Sequence, residues 1–403
     1  MIVPTIKGNR AVVPGLVNAH SHAFQRVIRG RTEHRTAAST DSFWTWREAM
    51  YRAANRLSPE DVYHVSRMAF MEMLLAGITT VGEFHYLHHA PDGTPYDDSN
   101  LIAKQVIRAA QDVGIRIVLL QTAYERAGWQ KPINPLQARF IFQSVDAFLK
   151  STDALLKDTE VPIGIALHSV RALRLESLLG ITDHARSRKL PIHMHVAEQP
   201  AEIEECLAEH GGRPSELLRE YGILGSDFTA VHAIHLTGQE IGYLGAARST
   251  VCACPTTERN LGDGPVPADR LLETGTRICL GTDSNAQIDV FEDARCLEYH
   301  LRMNQLSRAI LPVDELFRGT TESGSNALGL TQDSGDYFII DLNDPLLAGL
   351  DDADLITQLV FSAERSAIRD VFVRGKQVIA DGRHPDQDQI VTTFRKVQKR
   401  VWD

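Results

Sequence analysis

The chain of 403 residues is 43% hydrophobic and 23% charged, an ordinary globular mixture long enough to bury one large core or two. Forty-two lysines and arginines stand against 52 acidic residues, a net charge of −10, so no basic field exists to gather phosphate backbones and nucleic acid is not an expected partner. No apolar run approaches the ~18 residues that span a bilayer, the opening MIVPTIKGNR lacks the apolar stretch of a secretion signal, and five scattered cysteines make no disulfide framework; a cytoplasmic protein with reduced thiols is expected.

In chain order, eight runs of β-branched and apolar residues bounded by turn formers read as strands: residues 15–23, 77–86, 114–124, 161–170, 190–198, 228–236, 250–257 and 276–284. Amphipathic helical text separates most of them, as at 59–76 and 101–113. Such alternation implies parallel strands joined by right-handed crossovers, and eight units are what a closed (β/α)8 TIM barrel requires. An open doubly wound sheet is the alternative, but its nucleotide-binding glycine signatures, Gly-x-Gly-x-x-Gly and Gly-x-x-x-x-Gly-Lys-Ser/Thr, are missing. Beyond the eighth run, residues 336–342 and 370–381 read as short strands around turn-forming Asp, Asn and Gly. The expected organisation is a short segment 1–14 joining a small β domain, an α/β barrel over 15–330, and a small C-terminal β domain with a tail over 331–403.

Several of the sixteen histidines fall at predicted strand ends. His20-Ser-His22 closes the first run, and residues two apart on a strand point to the same side, where they can grip one ion together. His195 lies in His193-Met-His195-Val-Ala-Glu198 at the end of the fifth run, His232 ends the sixth, and Asp283 ends the eighth in Leu-Gly-Thr-Asp-Ser. In a parallel barrel all these ends meet on one rim, so imidazoles and a carboxylate gather into a site suited to zinc or iron. Taken alone, each histidine reads more readily as a packed or hydrogen-bonded core residue. Cys252 and Cys254 alternate on one strand without the two-residue gap of a zinc or redox motif and read as core packing.

His20-x-His22, His195 with Glu198 three residues later, His232 and Asp283, in this order on an eight-unit barrel, resemble the amidohydrolase superfamily over nearly the whole chain. Binuclear members carry a bridging lysine on a middle strand, and the fourth run, VPIGIALHSV, has none. The resemblance therefore implies the mononuclear deaminase branch, with His20, His22, His195 and Asp283 holding one zinc or iron ion per chain and His232 facing the bound water. A divalent metal lowers the pKa of bound water to around 7. Glu198, overhanging the site from the loop after the fifth strand, can take that proton and return it to a departing nitrogen; its plain reading is a helix N-terminal residue. On this reading Glu198, His232 and Asp283 form the catalytic group.

A narrower resemblance lies outside the ligand positions. Asn18-Ala-His-Ser-His-Ala-Phe-Gln-Arg26, Phe43-Trp-Thr-Trp-Arg-Glu48 with Met50-Tyr51, Glu83-Phe-His-Tyr86 with His88-His89, His168-Ser-Val-Arg171-Ala and Asn260-Leu-Gly-Asp-Gly264 resemble the N-formimino-L-glutamate deiminases of histidine degradation. The resemblance implies hydrolysis of a formimino group to a formyl group with release of ammonia, a small dicarboxylate as partner, and a homodimer. It makes Gln25, Arg47, Tyr86, His168 and Arg171 substrate contacts, and arginine suits forked recognition of a carboxylate. The plain readings are a helix-face salt bridge for Arg47 and loop or supporting places for His85, His88 and His89. Departures from the family are a very short N-terminal extension, a polar loop of its own at 30–41, and Arg259. A zinc deaminase of purine or triazine-like substrates is the alternative enzyme, and an inactive barrel scaffold the alternative outside catalysis.

Overall fold

The computed structural model describes residues 4–34, 41–330, 335–351 and 353–403. Half of the loop expected at 30–41, residues 35–40, lies outside them. Two short strands, β1 (Thr5–Lys7) and β2 (Arg10–Pro14), come first. Eight more follow: β3 (Leu16–Ser21), β4 (Ile78–His85), β5 (Arg116–Ala123), β6 (Ile163–Leu167), β7 (Ile192–Val196), β8 (Phe228–His232), β9 (Thr250–Ala253) and β10 (Arg277–Leu280). Each lies inside one of the eight expected runs. The runs overshoot because polar residues past the last ladder bond leave the sheet for the rim; at 250–257 the reason is Pro255, which opens the helix Pro255–Leu261.

These eight strands are parallel and ordered β10-β9-β8-β7-β6-β5-β4-β3. The two ends of the sheet meet just above it: the His22 N–H donates to the Asp283 carbonyl at 2.9 Å and the Asp283 N–H to the His20 carbonyl at 3.0 Å. A nearly closed barrel, not an open sheet, is the result. Gly281 permits the seam, since a Cβ there would sit 2.7–3.0 Å from the Cβ, O and N of His20. Strands β3 and β4 are buried along their whole length because helices cover the outside, and their polar residues, among them Asn18, His20 and Glu83, are buried with the rest. Ala19, Val231, Cys252, Cys254, Cys279 and Ala327 form a small packed cluster, and all five cysteines are free and buried.

β11 (Tyr337–Asp341), β12 (Ile368–Val373) and β13 (Lys376–Ile379) complete a second, antiparallel sheet ordered β1-β2-β11-β12-β13. The chain start contributes two of its strands, with β2 paired directly to β11. The residues read as a tail include a helix, Gln387–Trp402, that buries Ile390, Phe394, Val397 and Val401 against the helix Pro59–Leu75. Its i, i+4, i+7 spacing is helical, but lysines and arginines between the apolar positions mask it in the text. Arg400 pairs with Asp61, the Arg26 guanidinium lies 4.9 Å over the Phe394 ring, and Trp402 Nε1 donates to the Val27 carbonyl at 3.0 Å. No helix of the described residues is long and apolar enough to cross a membrane.

Candidate active site

The C-terminal ends of the barrel strands bring His20, His22, His195 and Asp283 together, with one ligand-type atom from each lying within 4.8 Å of all the others. His20 Nε2 and His22 Nε2 stand 3.3 and 3.1 Å from Asp283 Oδ1, and His195 Nε2 stands 3.2 Å from His20 Nε2. All four residues are buried. The outer ring edges face carbonyl oxygens: His22 Nδ1 lies 2.9 Å from Phe84 O and His195 Nδ1 lies 3.0 Å from His168 O. A carbonyl only accepts, so both Nδ1 atoms carry hydrogen and both Nε2 atoms face the centre. Burial pushes the His20 pKa down to about 3 and that of His195 well below the usual value, which keeps both rings neutral. Burial opposes the Asp283 charge, but His20 and His22 outweigh it and hold the carboxyl ionised. The converging imidazole nitrogens and carboxylate form a donor set that fits a divalent ion with N and O preference.

His232 and Glu198 stand beside this cluster. His232 Nε2 lies 3.6 Å from Glu198 Oε1 and 3.9 Å from Asp283 Oδ2. Glu198 precedes the helix Pro200–His210 without entering it, and burial raises its pKa. Two acidic residues that the sequence reading passed over support the pair. Glu202 accepts the backbone N–H groups of Ala197 and Glu198, both at 3.1 Å, and burial pushes its pKa up to about 7. Glu258 faces His232 Nδ1 at 3.3 Å. Each lies in the first turn of the helix that follows its strand, an ordinary place for an acid, so the sequence carries no signal that marks them.

The expected substrate contacts line the same mouth. Gln25 Nε2 donates to the Tyr86 hydroxyl at 2.8 Å, its Oε1 is buried without a partner, and the Tyr86 ring packs edge-on to His22 at 5.0 Å. His168 packs against His195 and Tyr124, and burial, then Arg171, lower its pKa well below the usual value. Arg171 donates to the Ala127 carbonyl at 3.3 Å. Arg47 stacks between Trp44 and Tyr51, at 4.4 and 5.6 Å from their ring centres, and its Nε and Nη1 have no hydrogen-bond partner among the described residues. Tyr51 and Tyr124 share Gln137 Nε2 at 3.1 and 2.6 Å and complete this wall. Arg259 lies outside it, donating to Cys296 Sγ and Gln287 Oε1. His85 and His88 are packed behind the wall, where burial holds them neutral.

Residues 11–378 match the model of the amidohydrolase family. The chain is 36% identical to a formimidoylglutamate deiminase of Pseudomonas aeruginosa, over 98% of this chain and 90% of that protein. Among solved structures it is similar to an amidohydrolase from Brucella melitensis, at 32% identity and a TM-score of 0.89, covering 99% of this chain and 96% of that one. An adenosine deaminase from Xanthomonas campestris with bound zinc shares the fold at 23% identity and a TM-score of 0.80, covering 98% of this chain and 86% of that one.

Proposed function

Because the chain belongs to the amidohydrolase family, and so is a hydrolase of C–N bonds, we propose that it deaminates N-formimino-L-glutamate to N-formyl-L-glutamate and ammonia, a step of histidine degradation. The observation that carries this reading is a pair of arginines near a His/Asp cluster: Arg171 lies three residues past His168, whose carbonyl meets His195 Nδ1 at 3.0 Å, and Arg47 stacks on Tyr51, which shares Gln137 with Tyr124. A dicarboxylate approaching a protein of net charge −10 needs locally placed cations, and two arginines with Tyr86 and Gln25 supply them.

In the proposed mechanism His20, His22, His195 and Asp283 hold one divalent ion, taken to be zinc. When bound there, it would supply Lewis acidity and bring the pKa of water toward neutrality. Arg47, Arg171, Tyr86, His168 and Gln25 hold the two carboxylates and aim the formimino carbon at the cluster. Glu198 takes one proton from the attacking water to the imino nitrogen as the C–O bond forms, then relays the second from the new hydroxyl to the same nitrogen as the C–N bond breaks, so that nitrogen leaves as ammonia and the carbon keeps the oxygen as a formyl group. His232 and Asp283 face that oxygen. The five free, buried cysteines support a cytoplasmic setting, and resemblance to the deiminases supports a homodimer, which light scattering would measure.

The test is ammonia release from N-formimino-L-glutamate by zinc-loaded protein, abolished by a chelator and restored by zinc. No turnover by fully loaded protein overturns the reading. Turnover of a purine or triazine amine in its place assigns the pocket to the other deaminase class.

A further inference from the structure

We propose that Glu258 is a positioning residue that fixes the orientation and tautomer of His232; its effect on turnover, though not on the tautomer, rests on the deiminase reading. Glu258 is 1% exposed, in the first turn of the helix Pro255–Leu261. Its Oε1 accepts the Cys254 N–H at 2.8 Å and lies 3.3 Å from His232 Nδ1. The same carboxyl oxygen is thus pinned to the backbone and meets the imidazole, while Oε2 is buried without a hydrogen-bond partner among the described residues.

His232 needs such a hold. It closes β8 with a left-handed backbone, φ 69°, and the soft ring torsion of histidine lets the imidazole present either edge to the rim. Stacking on His195, with 5.5 Å between ring centres and 17° between planes, sets the ring plane but not which edge faces which way. A carboxylate at Nδ1 settles it, because an acceptor there requires Nδ1 to carry hydrogen whether the ring is neutral or charged. Nε2 is then left on the Glu198 and Asp283 side. His232, Cys254 and Glu258 also lie close enough to hold an ion. The imidazole–carboxylate pair is the reading argued for, since Nδ1 cannot both bind an ion and donate to Glu258.

Two variants test this, Glu258→Gln, which keeps an acceptor without charge, and Glu258→Leu, which removes it. Loss of a group that orients a site residue costs about 10–100-fold. We expect kcat to fall roughly 10-fold in Glu258→Gln and 100-fold in Glu258→Leu, with KM and zinc content close to those of the parent. The second readout is the imidazole 15N spectrum of the metal-free protein, with His232 assigned by its loss in His232→Asn. Nδ1 should be protonated in the parent and in Glu258→Gln and lose that preference in Glu258→Leu. A kcat within twofold of the parent in Glu258→Leu, a fall in kcat/KM carried by KM, an unprotonated Nδ1 in the parent, or a second zinc equivalent that disappears in Glu258→Gln would each overturn the proposal. If the parent does not turn over N-formimino-L-glutamate, the function fails and the spectrum still judges Glu258.

Discussion

Glu198 and Arg171 occupy different parts of the mouth, and their loss should register in different kinetic constants. Glu198→Gln keeps the shape and removes the proposed proton carrier, so kcat should fall about 10² or more with metal content unchanged, and elemental analysis beside turnover checks both. Arg171→Met removes a charged hydrogen-bond donor worth about 1.5–3 kcal/mol, so kcat/KM for the dicarboxylate should fall by roughly 10–100-fold, whereas a substrate without carboxylates should lose little. Glu83 makes a third, pH-dependent case. It is buried beside the first histidine turn, accepts the Ala23 N–H, and burial pushes its pKa up to about 8. In the unfolded chain it ionises near the ordinary value of about 4.3, so between that pH and about 8 the chain takes up a proton on folding, and the stability Glu83 confers is lost as pH rises through this window. Glu83→Gln cannot titrate, so its stability advantage in urea melts should widen from acid pH up to about 8 and then level off. A gap that does not change with pH would show that Glu83 is already ionised in the folded chain. The acidic side chains Glu202 and Glu258 were invisible to the sequence reading because an acid in a first helical turn is ordinary; only their burial against Glu198 and His232 distinguishes them.

Whole elements fix where those residues can stand. The seam between β3 and the turn after β10 tolerates no side chain at Gly281, so Gly281→Ala should push His20 away from Asp283 and lower zinc affinity at least as much as it lowers stability. Equilibrium dialysis with zinc, set beside a urea midpoint, separates the two losses. The helix Gln387–Trp402 presents the opposite case, far in sequence from the chemistry but packed on the helix that precedes β4. Phe394→Ala should cost about 3–5 kcal/mol of stability and leave kcat per folded molecule unchanged. Strand order was legible because each barrel strand carries its own apolar run. Strand ends were not, because Asp283, with φ 44°, leaves the ladder three residues after β10 yet still bonds across the seam to His20 and His22.

At the scale of the whole molecule the cluster and the barrel depend on one another. Neutral His20 and His195 and ionised Asp283 crowd one centre, so binding a cation there should stabilise the folded chain, by about 4 kcal/mol at a free concentration 1,000 times Kd. Chelation should therefore abolish turnover and lower the thermal midpoint, with the circular dichroism of the barrel retained and both losses reversed by zinc. A midpoint indifferent to zinc would show that the four residues are not its ligands. The amino-acid order determined eight strand-and-helix units, a second small sheet, and the chemical kinds of side chain at the strand ends, because periodicity and residue type are local properties. Tertiary structure decided that the sheet closes, that β2 pairs with the distant β11, and that Glu258 stands behind His232, because contacts between residues tens to hundreds of positions apart exist only once packing has brought them within bonding distance.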